Sequence, residues 1–141
     1  RVAQAMEAEL RACKLGFRAP YLLAAARAVA DRSLDLAALH TLPVTEARGL
    51  LLRLPGVGEK IANCVLLFAC GFQEAFPVDV WVQRALRQLY FPHRRPTRAT
   101  LARFIATHFG PHAGYAQQYL FHYMRRQGHS PPLCYDLPTK T

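Results

Sequence analysis

Lysine is scarce in this chain: Lys14, Lys60 and Lys140 stand against fifteen arginines. A guanidinium stays protonated and cannot serve as an amine nucleophile, so lysine chemistry has few places to reside. Acidic residues number 9 against 18 basic ones, a net charge of +9. That imbalance favours a polyanionic partner, nucleic acid being the simplest, with a dispersed solvated basic surface as the alternative. The four cysteines (Cys13, Cys64, Cys70 and Cys134) show no metal-ligand spacing. Cys64 and Cys70 lie six apart within an apolar helical run and read as reduced core residues. The longest apolar stretch, residues 61–72, is interrupted by Asn63 and is too short to span a bilayer. No signal peptide is visible and the first residue is Arg, so the expectation is a fragment or trimmed chain of an intracellular protein. It would work in the nucleus if eukaryotic, and in the cytoplasm or nucleoid if bacterial. Hydrophobic residues make up 52% and charged residues 19%, which argues against disorder and for one domain with a core.

No alternating strand pattern is present, and nearly everything reads as helix. Residues 2–15 are periodic and stop at Gly16, a good C-terminal cap. Pro20 suits the start of a helix running to about Arg32. Ser33 can cap a short turn reaching His40, and Pro43 opens a helix that ends before Leu54. A helix over residues 59–70 ends at Gly71, and the connector to Val78 is extended because Pro77 disfavours helix before it. Asp79 reads as the N-cap of residues 80–90. Residues 91–96 form a loop with His93, Arg94 and Arg95, and Thr97 caps a helix ending near Phe109. The last helix covers residues 113–126 and closes at Gly128. The tail, residues 129–141, contains three prolines and is expected to be poorly structured unless docked. The fold class is therefore all-α, a bundle of short helices.

One turn carries the chemistry. Leu54-Pro55-Gly56-Val57-Gly58-Glu59-Lys60 joins two helices, a helix-hairpin-helix arrangement. Small residues there let a phosphate approach the backbone, and the next helix N-terminus favours an anion. A lone G-x-G is weak evidence, and an ordinary corner needing positive φ is the bland alternative. Lys60 sits in the first turn of the following helix, where a cation opposes the helix dipole. The position is poor for a structural lysine and favours the neutral, nucleophilic amine. A solvated lysine contacting a phosphate is the competing reading. Asp79, downstream in Pro77-Val78-Asp79, has a sufficient role as a cap. A carboxylate so fixed can also stabilise positive charge developing at a sugar and assist proton transfer.

The segment from Leu54 to Cys64, with Pro77-Val78-Asp79-Val80-Trp81-Val82-Gln83-Arg84, resembles the helix-hairpin-helix DNA glycosylase superfamily, most nearly its 8-oxoguanine DNA glycosylases. Leu15-Gly16-Phe17-Arg18-Ala19-Pro20-Tyr21 is similar to that family's Leu-Gly-Tyr-Arg-Ala segment. Residues 110–121 are similar to its C-terminal pocket helix. The resemblance covers most of the chain. It implies a bifunctional DNA glycosylase and apurinic/apyrimidinic lyase acting as a monomer on double-stranded DNA that contains a damaged base, with no membrane partner. Lys60 would be the Schiff-base nucleophile and Asp79 the catalytic carboxylate. Cys64, Gln117 and Phe121 would line the pocket of the extruded base, with plain core packing as the alternative for Cys64 and Phe121 and a surface position for Gln117. Gly56, Val57 and Gly58 would hold a DNA phosphate. Trp81 stands where eukaryotic members carry a phosphate-contacting histidine; the alternative is a half-buried helix anchor.

No metal or organic cofactor is expected for the chemistry, though the resemblance implies a monovalent cation at the hairpin carbonyls. Members similar to endonuclease III usually add four clustered cysteines for an iron–sulfur cluster, and only Cys134 follows the last helix here. The family's N-terminal portion has no counterpart, so residues 1–128 are expected to be the catalytic domain of a larger enzyme or a compact variant. Two other readings remain at this point. One is an oxidised-pyrimidine glycosylase without the cluster; the other is a non-catalytic helix-hairpin-helix module that would need neither Lys60 nor Asp79.

Overall fold

The structure, a computed structural model, describes residues 1–127. The expected stop at Gly128, the C-terminal tail and Cys134 lie outside the described residues. All regular elements among the described residues are helical. They are α1 (Glu7–Leu10), α2 (Ala19–Ala30), α3 (Val44–Leu52), α4 (Glu59–Phe68), α5 (Val80–Leu89), α6 (Arg98–His108) and α7 (Ala113–Arg126), with short 3-10 turns between some of them.

Two segments differ from the sequence expectation. The single helix over residues 2–15 is broken into a 3-10 turn at Val2–Gln4, the four-residue α1, and a distorted π turn at Arg11–Leu15. The cause is local backbone. Met6 is extended and its N–H donates to the Glu9 carboxylate at 2.7 Å, starting α1 afresh. Lys14, at φ +62°, takes the left-handed conformation that ends the helix two residues before Gly16. Around residues 31–41, Ser33 does not cap the turn. Its own N–H donates to Asp31, and Asp35 Oδ1 accepts from the N–H groups of Ala37 and Ala38. Aspartate competes well for free N–H groups in such turns.

Elsewhere the caps act as expected. Asp79 Oδ1 accepts from the Val82 N–H at 2.8 Å and Thr97 Oγ1 from the Thr100 N–H at 3.1 Å, so both helices start where their cap residues stand.

The buried side chains form two clusters. The first joins α3 and α4 with the turn before them, through Leu34, Leu39, Ala47, Leu51, Ala62 and Leu66. The second joins α5 and α7 through Val82, Ala85, Leu86, Leu120 and Met124. The connector between α4 and α5 straddles both, since Ala75 belongs to the first cluster and Phe76 to the second. It is tied to the start of α7. The Gly114 N–H donates to the Gln73 carbonyl at 2.7 Å, and His112 Nδ1 lies 2.9 Å from Gln73 Oε1. A Cβ on Gly114 would come within 2.9 Å of the Gln73 carbonyl and 3.0 Å of that of Ala75, so only glycine allows this approach.

Candidate active site at the junction of two helix pairs

The hairpin is built by its sequence. Pro55 and Gly56 occupy the centre of a turn closed by the Val57 N–H donating to the Leu54 carbonyl at 3.1 Å. Gly56 has φ +78°, the value a type II turn demands at its third residue. It also lies under an aromatic ring, because a Cβ there would sit 2.5 Å from Cγ of Tyr21. Tyr21, on α2, therefore roofs the turn. Nothing in residues 54–60 announces this partner.

Beyond the turn, Gly58 is extended and serves as N-cap of α4 without a side chain to fill its N–H groups. The N–H groups of Gly56 and Gly58 meet no acceptor among the described residues, and the first N–H groups of α4 have no intrahelical partner. Such a bare donor set suits an anion. The carbonyls of Pro55, Gly56 and Val57 likewise accept no hydrogen bond among the described residues. These oxygens are the kind of ligand a hard monovalent cation takes, so the residues fit the ion that the resemblance implies. Asn63 fastens the two hairpin helices, accepting from Arg48 Nε on α3 at 3.1 Å while its own amide donates to the Glu59 carbonyl at 2.8 Å.

Lys60 is exposed in the first turn of α4, and Cys64 is half-buried one turn later. Asp79 is half-buried at the start of α5. The Cys64 thiol reports all three. Burial pushes its pKa above the usual thiol value, the Lys60 charge pulls it down, and the Asp79 charge pushes it up. Both charges thus reach the same sulfur, although they stand on elements belonging to different core clusters. Cys70 is free and half-buried against the first cluster, and burial raises its pKa too.

The expected pocket residues of α7 lie on the second cluster. Gln117 is only 4% exposed, which excludes the surface reading, and the Gln118 amide donates to its Oε1. Phe121 packs partly buried against that cluster, with the Arg125 guanidinium 5.5 Å from its ring centre. No hydrogen bond or ring contact links Gln117 or Phe121 to Lys60 or Cys64. A cavity of about 220 Å³ between α4 and α7 is lined by Leu67, Phe68, Gln73, Gly114, Tyr115 and Gln118, among others, and by none of the expected pocket residues. Trp81 is half-buried against the second cluster, the position of a helix anchor.

One feature of charge escaped sequence reasoning. Residues 1–79 carry nine Lys and Arg against eight Asp and Glu, whereas residues 80–127 carry eight Arg and no acid at all. The signal is in the sequence, but it acquires meaning only once α5, α6 and α7 are seen packing on one cluster.

A helix–hairpin–helix, a lysine at the start of its second helix and an aspartate capping the next one define a base-excision DNA repair fold, and the chain belongs to that family. Residues 1–110 match the HhH-GPD superfamily base excision DNA repair proteins. It is 39% identical over 120 residues to a probable N-glycosylase/DNA lyase of Methanothermobacter thermautotrophicus, covering 85% of this chain and 38% of that protein. MBOgg1, solved in complex with a low-affinity DNA ligand, matches with a TM-score of 0.84 at 36% identity, over 90% of this chain and 44% of that one. The 8-oxoguanine glycosylase/lyase of Clostridium acetobutylicum, solved with double-stranded DNA containing cytosine opposite 8-oxoguanine, matches with a TM-score of 0.83 at 33% identity, over 91% and 44%. The chain thus spans less than half the length of these relatives.

Proposed function

We propose that residues 1–128 form the catalytic domain of a DNA glycosylase with lyase activity that excises an oxidised purine, 8-oxoguanine, from double-stranded DNA. The observation that carries this reading is the exposed Lys60 amine in the first turn after the hairpin, together with the Asp79 carboxylate fixed at the start of α5. A non-catalytic DNA-binding module has no need of that pair. The relatives' activities, N-glycosylase/DNA lyase and 8-oxoguanine glycosylase/lyase, support the same choice.

In the proposed reaction the damaged nucleotide leaves the base stack. The neutral Lys60 amine attacks C1′ of the sugar while the bond from C1′ to the base breaks, and the base leaves with the bonding electron pair. The Asp79 carboxylate, aimed by its bond to the Val82 N–H, stabilises the positive charge that builds on the sugar in between. Loss of a proton from the amine and opening of the sugar ring give a Schiff base between Nζ and C1′. Removal of a C2′ proton then expels the 3′ phosphate by β-elimination, nicking the strand. Cys64, Gln117 and Phe121 would contact the extruded base, and Gly56, Val57 and Gly58 the phosphate of the same strand. Trp81 would support that contact from the start of α5. A monovalent cation held by the hairpin carbonyls would add positive charge beside the phosphate. The compartment is the one that holds the DNA, the nucleus or the nucleoid.

Borohydride reduces a Schiff base to a stable amine, so it tests the reading directly. Trapping with a duplex carrying 8-oxoguanine opposite cytosine is expected to give a covalent protein–DNA product. Lys60→Gln is expected to abolish that product while leaving duplex binding in place. An undiminished product in Lys60→Gln would overturn the assignment.

A further inference from the structure

We infer that the loop after α5, with the first turn of α6, is a second backbone-binding site for duplex DNA. It would take phosphates away from the reacting sugar, at the far end of α5 from Asp79. The inference rests on the proposed reading for its partner, and on the following features for its place.

His93, Arg94, Arg95 and Arg98 fall within six residues and all four are exposed. No carboxylate pairs with any of them among the described residues. No Asp or Glu occurs between residues 80 and 135, so the sequence supplies no local counter-charge. The loop is anchored at both ends. Phe91 is 8% exposed and packs edge-on against Phe104 at 5.0 Å, and Tyr90 packs on Phe104 and Phe109. At the other end Thr97 caps α6, and Pro92 and Pro96 restrict the backbone between. Arg98 stands in the first turn of α6, where a cation opposes the helix dipole and stability gives no reason for it. A fixed, uncompensated cluster of guanidinium groups suits phosphate oxygens, which arginine meets with two parallel bonds.

The distance follows from α5. Asp79 caps its start and Tyr90 its end, with ten helical residues between them. At about 1.5 Å per residue the helix is about 15 Å long. The hairpin and this loop would grip the backbone at two separate points, one at the reacting nucleotide and one at the far end of α5.

The test measures affinity of the chain for undamaged duplex against salt. Each lost phosphate contact removes about 0.9 from the slope of log K against log salt. The triple variant Arg94→Gln, Arg95→Gln, Arg98→Gln is expected to flatten the slope by about two to three units. The control triple Arg1→Gln, Lys14→Gln, Arg32→Gln removes as much charge from the first half and is expected to leave the slope unchanged. Thermal melts of both variants are expected to match wild type, since every altered side chain is exposed. An unchanged slope in the loop variant overturns the inference, as does equal flattening in the control. No duplex binding by wild type at any salt would overturn both this inference and the glycosylase reading on which it rests.

Discussion

The two halves of this molecule solve opposite problems. The half built on α3 and α4 offers backbone: a glycine turn, bare N–H groups and carbonyls, and a charge balance close to neutral. The half built on α5, α6 and α7 offers side chains, a carboxylate at one end and eight arginines with no acid among them. Backbone donors bind a phosphate at one fixed point and are indifferent to sequence. Arginines add reach and a salt-dependent hold. The pair proposed for catalysis takes one residue from each half, Lys60 from the first and Asp79 from the second. Whatever fixes the halves against each other therefore also fixes the chemistry. The connector with Gln73, Ala75 and Phe76 is the visible fixture.

The largest effect expected from breaking this pairing is chemical. Asp79→Asn keeps a cap, because asparagine caps helices about as well as aspartate. Its melting temperature should stay within a few degrees of wild type, while single-turnover excision should fall by about 10²- to 10³-fold, as when a transition-state charge partner is removed. Asp79→Ala should lose the rate and also about 1 kcal/mol of stability. A normal single-turnover rate in Asp79→Asn would leave Asp79 as a cap only, and the second half without a part in the chemistry.

Two glycines sharpen the comparison next. Gly114→Ala drives a methyl group against the carbonyls of Gln73 and Ala75 inside the junction. Overpacking of this kind costs about 1–3 kcal/mol, so the expected result is a clear drop in melting temperature. Gly56→Ala also introduces a left-handed alanine, at about 1–2 kcal/mol, but its obstacle is the exposed ring of Tyr21, which can swing away. Its signature should be weaker duplex binding out of proportion to its melt. If Gly56→Ala and Gly114→Ala lose stability and affinity in the same ratio, the division into a binding half and a supporting junction fails.

Much of this was legible because helices here announce their ends. Asp79 and Thr97 cap as their sequence positions suggest, Pro43 and Pro20 stand at helix starts, and Gly71 follows a helix end. Lys60 and Asp79 could be singled out because a helix start and a cap are local properties, whereas Cys64 read locally as a core residue and was singled out only by the family resemblance. What was not legible is non-local or conformational. Periodicity registers apolar spacing but not a left-handed Lys14, so residues 2–15 read as one helix. The ring of Tyr21 over Gly56, and Gly114 against the connector, join residues more than thirty apart in sequence. The burial of Gln117 came from packing on the second cluster, which its neighbours in sequence did not reveal.

The smallest expected effect probes the junction most directly, because Cys64 feels both halves. Its thiol titrates above the usual value through burial, so at pH 8 it should alkylate more slowly than the exposed Cys13 and gain rate as pH rises. Lys60 lowers this pKa and Asp79 raises it. Removing the lysine charge in Lys60→Gln should therefore reduce the thiolate fraction and slow labelling further. Removing the carboxylate charge in Asp79→Asn should do the reverse. Each change should stay within about tenfold, the effect of one pKa unit. Peptide mass spectrometry after brief iodoacetamide treatment across pH 7 to 10 reads Cys64 and Cys13 separately, so Cys13 serves as an internal standard. Opposite shifts in the two variants would show that the amine and the carboxylate act on the same sulfur in solution. A shift in Lys60→Gln alone would mean that Asp79 stands too far from α4, and that the two halves do not close on one site in the free protein.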